Sequence, residues 1–422
     1  MFFKNMEDSR IESIITLIYV IAFPLSIYTL GIGSVKLSEW LFLIIIAYSF
    51  ARNKLKLKVD EKYKKLLVFS LISFPMSLIA NAFDGEIYTI AYIRYFRYLI
   101  AMLAILISNE LIVREKFIKY YKIACILIST YIILQALSYS FVGIIIPNKI
   151  LPFPLAREFD ATEVLSISQR YYYRGYGIFN EPSDAAKYLL PGFAFSLYGW
   201  GEKNIDLKSS MLILVSILIT TSLQGIVGVV FLLGFWVFQN IHKKNKFESK
   251  SLVSITLFIF LLIGSFLAFS KQESFSFVSQ RIGTISGNGN MTGSAKLRLL
   301  RGYAVFAQIP DFLKIIGVGF GNLDNYIIKN GIQTSYDIIG ANSLSAIGYV
   351  NGVSCVLLYT GLIGGVFLFS IFADFWKHEN KEYRLIIILY VLLLLSGGGI
   401  FDMYMVFLFT IFGIGYTKNT NA

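Results

Sequence analysis

Residues able to bind an anion are concentrated at one junction of the sequence, RYYYRGYGIFNEPSDAAKYLLPG (170–192), where a polar segment meets an apolar one. Arg170 and Arg174 flank three consecutive tyrosines, and the planar fork of arginine suits bidentate capture of a phosphate. Pro182 fits the first turn of a helix, whose dipole favours negative charge at that end. The junction therefore predicts an anion site at the start of a helix. The alternative is a capped helix behind an aromatic membrane-interface belt.

Two carboxylates and a tyrosine complete the chemistry available at this junction. Glu181 follows Arg174 closely and is expected to orient the guanidinium or to accept a hydrogen bond from a hydroxyl group. A general base and a structural helix cap are the alternatives for Glu181. Asp184 is a further ligand-binding candidate, and Tyr173 offers a ring on which a sugar could stack.

A second basic cluster lies in the run SAKLRLLRGYAVFAQIP (294–310). Arg298 and Arg301 are three residues apart, so on an α-helix they would share one face. The run is amphipathic and is expected to lie along a membrane surface, with a solvated helix face as the alternative. Arg94 and Arg97 have the same spacing at the end of an apolar run, where the alternative is snorkelling to lipid headgroups.

The glycine-rich stretch GVGFGN (317–322) follows a short apolar run. As a dinucleotide fingerprint it has the wrong glycine spacing, no helix is predicted after it, and no acidic partner follows at the expected distance. A phosphate could still approach such an open backbone. The alternative is a tight external turn.

The composition restricts the class of protein that can present these residues. The chain has 422 residues, 56% of them hydrophobic and 15% charged, with a mean hydropathy of +0.65. A soluble core cannot use that much apolar surface, whereas a lipid bilayer can. The net charge of +12 comes from short basic runs between apolar ones, which orient a membrane protein and do not indicate nucleic-acid binding. No metal-ligand pattern is present in the sequence.

Apolar runs of spanning length recur from end to end, and they predict an all-α polytopic integral membrane protein forming a single domain over 1–422. About twelve transmembrane helices are expected, at 11–31, 37–51, 66–82, 90–108, 123–142, 184–200, 209–222, 225–241, 251–270, 351–375, 385–398 and 401–417. The basic loops 52–65, 114–122, 243–250 and 376–384 then fall on one side. The positive-inside rule places these loops and both termini in the cytoplasm.

Two long segments, 143–183 and 271–349, fall on the external side of this topology and are expected to be structured loops that carry function. Arginine is concentrated on that side, whereas lysine is concentrated in the cytoplasmic loops. The eight external arginines are Arg94, Arg97, Arg157, Arg170, Arg174, Arg281, Arg298 and Arg301. This inversion of the usual bias indicates an anionic ligand at the outer face. No internal repeat is visible, which disfavours a transporter built from symmetrical halves.

The chain resembles the O-antigen polymerase (Wzy) and O-antigen ligase superfamily. The resemblance depends on the twelve spans and on three sequence features: RxxxRGYGIFNEPSDAAKYLLP ending the first loop, S-x-x-x-R followed by P-x(6)-GVGFGN in the second, and YTGLIGG in the next helix. It implies a GT-C-like glycosyltransferase of the bacterial cytoplasmic (inner) membrane. Such an enzyme acts outside the cytoplasm on sugars carried by undecaprenyl pyrophosphate.

The activity implied is that of a polymerase for O-antigen or capsule repeat units, which transfers the growing glycan from undecaprenyl pyrophosphate onto an incoming lipid-linked repeat unit. Membrane lipid, a chain-length regulator and a flippase are the expected partners, and no cofactor is implied. By position, Arg174 and Arg298 correspond to arginines thought to hold the pyrophosphate, with Glu181 beside them. Arg170, Arg281 and Arg301 are further candidates for substrate binding.

The ligase branch carries a histidine, then Asn, Ser or Gln, and later a pair of glycines. Asn351, Gly361 and Gly364 match that pattern, which makes Asn351 a substrate-binding candidate. The histidine position is Val350, which cannot accept a proton, and this favours the polymerase. A ligase-type transferase is the alternative among enzymes. A lipid-linked oligosaccharide flippase is the alternative from another class, although charges within helices and short loops would then be expected.

Overall fold

The computed structural model describes residues 2–31, 35–54, 59–85, 89–156, 174–200, 205–242, 297–335, 350–378, 381–396, 401 and 403–416. Within these ranges the chain is helical, and two isolated β-bridges are the only strand-like pairings. Four of the described helical segments are long and apolar enough to cross a membrane: Glu61–Asp84, Ala91–Leu111, Arg114–Val142 and Gly352–His378. The predicted all-α class is confirmed.

The helices are named in chain order. They are α1 (Phe2–Leu25), α2 (Leu37–Arg52), α3 (Lys64–Asp84), α4 (Thr89–Ser108), α5 (Arg114–Val142), α6 (Pro182–Tyr198), α7 (Leu207–Ile219), α8 (Leu223–His242), α9 (Gly302–Gln308), α10 (Asp311–Ile316), α11 (Leu323–Lys329), α12 (Gly352–His378), α13 (Lys381–Leu395) and α14 (Met403–Gly415). A π-helical turn, Leu297–Arg301, precedes α9.

Several helix boundaries differ from the sequence prediction for identifiable reasons. The predicted span 11–31 ends early, because Tyr28 pairs with Leu155 and Thr29 with Lys36 in β-bridges. The basic run 114–122, predicted as a loop, forms the first turns of α5, since its Arg, Glu and Lys residues are good helix formers. The predicted span 251–270 lies outside the described residues.

The chain divides into two compact units. The first comprises Met1–Ala124, Leu151–Ala156 and Ala295–Ala422, and the second comprises Cys125–Ile150 and Arg157–Ser294. The division falls within α5, which contributes residues to both. Cys125 and Cys355 are both buried, and they are not joined in a disulfide.

In the first unit α2 packs on α4, α3 on α12, and α14 on α1 and α4. Aromatic rings fill the space between α12, α13 and α14; Phe372 and Phe409 stack with 6.2 Å between ring centroids, for example. In the second unit α6 packs on α7 and α8, and every residue from 185 to 197 is buried. Helix α8 approaches α6 closely at Gly228, where a Cβ would lie 2.6 Å from Leu190 Cδ1 and the leucine side chain would have to shift.

Residues 311–329 form a helical hairpin, made of α10, the GVGFGN loop and α11, that is packed inside the first unit. Val318 and Phe320 are 1% and 3% exposed, and they belong to or adjoin an apolar cluster with α3 and α12. Phe320 N donates to Ser77 Oγ (2.9 Å) on α3, and Val318 N donates to the Leu358 carbonyl oxygen (2.8 Å) on α12. The GVGFGN loop is therefore buried by tertiary contacts, which its own sequence does not encode, and its position on the external side stays a prediction.

Two glycines allow the hairpin to lie directly against the backbone of α12. A Cβ at Gly317 would overlap the Tyr359 carbonyl, and a Cβ at Gly361 would overlap the Ile315 carbonyl. Gly361 has φ 61° and ψ −168°, so α12 is broken at this point. The YTGLIGG and GVGFGN stretches therefore meet through residues that have no side chain.

Candidate functional site

Arg174 is the first described residue of the junction that the sequence singled out, and it is bound to the turn between α7 and α8. Its Nε donates to the Thr220 carbonyl (3.1 Å) and to Thr221 Oγ1 (2.7 Å), and Nη2 donates to the Thr221 carbonyl (3.3 Å). Thr221 has a positive φ of 47°, which is uncommon outside glycine. The guanidinium thus satisfies carbonyls at the end of α7 and is held in a defined orientation.

Gln135 of α5 holds the following residues in place. Its Oε1 accepts from Gly177 N (2.8 Å), and its Nε2 donates to the carbonyls of Gly177 (3.0 Å) and Ile146 (3.1 Å). The side chain is fully buried. Asn148 adds a bond from Nδ2 to the Phe179 carbonyl (3.1 Å). The two ends of the first long segment, 143–183, are joined by these amides.

The start of α6 has a proline in its first turn, as the sequence predicts, and its N-cap side chain makes no capping hydrogen bond. Pro182 occupies the first helical position, and Glu181 is the N-cap residue. Ser183 Oγ donates to Glu181 Oε2 (3.0 Å), so this carboxylate is turned toward the helix start. Asp184 Oδ1 lies 2.9 Å from Lys187 Nζ, and the Lys187 side chain is only 8% exposed. The structure therefore gives Asp184 an intrahelical ion pair, and its substrate contact stays a prediction.

Arg170, Tyr173 and Arg281 lie outside the described residues. Arg298 lies in the π-helical turn Leu297–Arg301, and only the backbone of Arg298 is described. The premise that Arg298 and Arg301 share one face of an α-helix is wrong, because a π-helical turn is wider and changes the angle between residues three apart.

Arg301 and Asn351 are both buried, with 4% and 1% exposure. The alternative of a solvated face for Arg301 is therefore wrong. Asn351 Oδ1 accepts from Ser354 N (2.8 Å) at the start of α12, and Nδ2 donates to the Leu299 carbonyl (3.0 Å). Asn351 thus acts as a helix N-cap that also holds the π-helical turn. Contact of either residue with substrate stays a prediction.

The first unit contains a cavity of about 230 Å³ between the N-terminal ends of α2 and α4, the GVGFGN loop and α12. Part of its lining is charged, from Lys36, Glu39, Arg94 and Arg97. Another part is aromatic, and its rings contact one another: Tyr98, Phe320, Tyr359 and Phe401. The sequence assigned Arg94, Arg97 and the glycine loop to separate features, and the fold brings them together.

The charged groups of this cavity are fixed by contacts with one another and with the loop. Arg97 Nε lies 3.3 Å from Glu39 Oε1, and Glu39 Oε2 accepts from Lys36 N (2.9 Å). Arg94 Nη1 donates to the Gly321 carbonyl (3.0 Å) and to Asp324 Oδ2 (3.2 Å). The contacts that the structure shows for these arginines are with protein groups, and contact with lipid headgroups stays a prediction.

The hairpin of residues 311–329 also carries an ionisable group, the phenol of Tyr326. Tyr326 of α11 is buried beside α3, and Lys329 Nζ lies 3.5 Å from Asp84 Oδ2. Burial, and then the nearby Asp84 carboxylate, raise the pKa of the Tyr326 phenol. The phenol therefore stays neutral, and its role is in packing.

Sequence reasoning missed Gln135, Lys36 and Glu39. The available signal was a polar residue within an apolar run, as in IILQAL around Gln135. Lys36 and Glu39 begin the apolar run of α2, where a carboxylate three residues into the helix has capping-box spacing. That spacing explains the hydrogen bond that Glu39 accepts from the Lys36 backbone N, but it does not predict the ion pair of Glu39 with Arg97.

Comparison with known proteins adds no assignment: the sequence matches no protein-family model and no curated protein.

Proposed function

We propose that this chain is a polytopic membrane glycosyltransferase that polymerises lipid-linked oligosaccharide repeat units at the outer face of the bacterial cytoplasmic membrane. The observation that carries the proposal is the concentration of arginine in segments expected outside the cell, while lysine follows the cytoplasmic loops. The four membrane-length helices support a membrane location. The topology we propose has twelve spans in a GT-C-like arrangement, both termini in the cytoplasm, and 143–183 and 271–349 outside.

The proposed reaction moves a glycan between two lipid carriers. The bond between the anomeric carbon of the growing glycan and the undecaprenyl pyrophosphate oxygen breaks, and a glycosidic bond forms to a hydroxyl of the incoming repeat unit. The hydroxyl proton passes to a base, and undecaprenyl pyrophosphate leaves with the electron pair of the broken bond. The donor pyrophosphate supplies the driving force, so no cofactor takes part.

In this scheme Arg174 and Arg298 stabilise the charge that develops on the leaving pyrophosphate. A preorganised donor aimed at such charge typically contributes about 3 kcal/mol to the barrier reduction. The hydrogen bonds of Arg174 to Thr220 and Thr221 support this role, because a guanidinium already fixed in orientation needs little reorganisation. Arg170, Arg281 and Arg301 are proposed to add to the binding of the anionic substrate.

Glu181 is proposed to orient the acceptor hydroxyl or the arginine side chains. Its Oε2 accepts from Ser183, and its position at the N-cap of α6 keeps the carboxylate beside the positive end of the helix dipole. Both features hold the carboxylate at the start of α6, where we propose that it accepts a hydrogen bond from the acceptor hydroxyl or from an arginine.

The test is the length of the polysaccharide made in a strain whose own copy of the gene is replaced. Arg174→Ala and Arg298→Ala should leave the protein inserted in the membrane while surface polysaccharide collapses to single repeat units. Arg52→Ala, which removes a 37% exposed arginine of a predicted cytoplasmic loop, is the matched control and should retain long chains. Long chains in both Arg174→Ala and Arg298→Ala would refute the arginine proposal.

The deletion strain distinguishes the two alternatives. A ligase-type transferase predicts that polymer is still made and remains on its lipid carrier without reaching its final anchor. A flippase predicts that single lipid-linked repeat units accumulate on the cytoplasmic face. The polymerase predicts that single units reach the outer face and are not joined.

A further inference from the structure

We propose that the cavity lined by Lys36, Arg94, Arg97 and Gly321 binds the phosphate group of a membrane amphiphile. The aromatic part of the lining would contact the organic group that is attached to the phosphate. This site is built from residues other than those assigned to glycosyl transfer, and it does not depend on the proposed function.

The charge around the cavity is incompletely balanced. Three cations, Lys36, Arg94 and Arg97, are accompanied by two carboxylates, Glu39 and Asp324. The Lys36 ammonium makes no ion pair with any residue that the structure describes. One excess positive charge beside a low-dielectric aromatic lining favours the entry of an anion.

Arg97 also carries a donor that the described part of the chain leaves unsatisfied. Its Nη2 is buried and has no hydrogen-bond partner there, although its Nε is bound to Glu39. A buried donor in this state destabilises the protein until an acceptor meets it. An anionic oxygen in the adjoining cavity, which Arg97 lines, is the acceptor that we propose for this donor.

The number and origin of the cations favour a phosphate over a carboxylate. A carboxylate has two oxygens and is satisfied by one guanidinium fork. Here the donors come from two elements, Lys36 at the start of α2 and Arg94 and Arg97 on α4, which suits the several oxygens of a phosphate. The volume of about 230 Å³ is several times the roughly 30 Å³ of one water, so room remains for an attached group.

The position of the cavity on α4 indicates that the phosphate belongs to a lipid. Arg94 and Arg97 lie in the first turns of a candidate span, Ala91–Leu111, and the end of a spanning helix is where headgroup phosphates are found. In the same turns Ile93 and Phe96 are 48% and 53% exposed. An apolar surface beside a cationic cavity suits an amphiphile whose chains stay in the bilayer.

The experiment measures ligand-induced thermal stabilisation of the full chain in dodecyl maltoside micelles. Dihexanoyl phosphatidic acid is the probe, with dihexanoylglycerol and glycerol 3-phosphate as its two halves. Lys36→Gln changes a side chain that has no ion pair among the described residues, so it should fold normally. Arg94→Gln is the second variant, and Lys314→Gln removes a lysine of the hairpin that lies outside the cavity lining as the matched control.

Phosphatidic acid should raise the unfolding temperature of the wild type and of Lys314→Gln in a saturable way. Its dissociation constant should increase about tenfold in Lys36→Gln and in Arg94→Gln, as expected for loss of one charge-assisted hydrogen bond. Dihexanoylglycerol should have no effect, and glycerol 3-phosphate should bind more weakly. Unchanged affinity in both variants, or equal binding of dihexanoylglycerol, would overturn the site. Glycerol 3-phosphate binding as tightly as the lipid would overturn the lipid source.

Discussion

The Nε atom of Arg97 lies 3.3 Å from Oε1 of Glu39, a carboxylate whose side chain is only 4% exposed. The other oxygen of Glu39 accepts from the backbone N of Lys36, so one carboxylate caps α2 and fixes an arginine of α4. The two helices are thus joined by a buried charge pair at the edge of the cavity. Neither helix sequence predicts this pair alone, because it forms between residues that are far apart in the chain.

Removing one partner of this pair should cost more stability than removing both. Arg97→Gln leaves the Glu39 carboxylate buried without its cation, and we expect a loss of about 3 kcal/mol in the free energy of unfolding. The double variant Glu39→Gln/Arg97→Gln should recover a substantial part of that loss. Denaturant unfolding in micelles measures both, and a double variant less stable than Arg97→Gln would contradict the assignment.

Gly361→Ala should destabilise the protein strongly, because the added Cβ would overlap the Ile315 carbonyl and the backbone there has a positive φ. We expect a loss of at least about 3 kcal/mol, at the upper end of what one substitution causes. Gly234→Ala on α8 is the matched control: nothing lies within 4 Å of its Cβ position, and alanine should gain roughly 0.5–1 kcal/mol in a helix. Similar unfolding temperatures for the two variants would show that α10 and α12 are not in close contact.

Gln135→Met should lower both stability and polymer length if Gln135 positions the residues after Arg174. Methionine has a similar volume but leaves the buried N–H and carbonyl of Gly177 without their partners, and we expect a loss of about 3 kcal/mol. Gln308→Met changes an exposed glutamine and should shift stability by less than about 0.5 kcal/mol. Wild-type stability and chain length in Gln135→Met would remove this residue from the site.

The role of Asp184 can be separated from that of its helix by a double-mutant cycle with Lys187. Asp184→Asn should cost about 2 kcal/mol, because the nearly buried Lys187 ammonium loses its charged partner. Adding Lys187→Met should reduce that cost, giving a coupling energy of about 1 kcal/mol or more. Additive effects would indicate that the Asp184 carboxylate does not stabilise the Lys187 ammonium. They would favour the predicted contact of Asp184 with substrate.

The features of the fold that could be predicted from the sequence are those that depend on neighbouring residues, such as where a helix begins and ends. Pro182 marks the start of α6 because a residue without an N–H fits only the first turn, and the structure places it there. The predicted limits of α2, α3 and α4 agree with the structure within two residues, because their apolar runs are bounded by charged or glycine-containing stretches.

Burial of the 311–329 hairpin could not be predicted in the same way. Its helices have six and seven residues, and its loop has the glycine content of an external turn. What buries Phe320 is a hydrogen bond to Ser77 and ring contacts with Tyr98 and Phe401, all remote in sequence. The cavity was missed for the same reason, since its charged residues come from separate helices.

The break in α12 has a consequence for how the chain is assembled. Backbone groups released by a broken helix are strongly destabilised in hydrocarbon unless another group satisfies them. At this break the Leu358 carbonyl accepts from Val318 N, and Val318 belongs to a hairpin synthesised before α12. We therefore expect α12 to enter the bilayer efficiently only after residues 311–329 have folded and can supply this hydrogen bond. The order in which the chain is translated is then part of the folding mechanism.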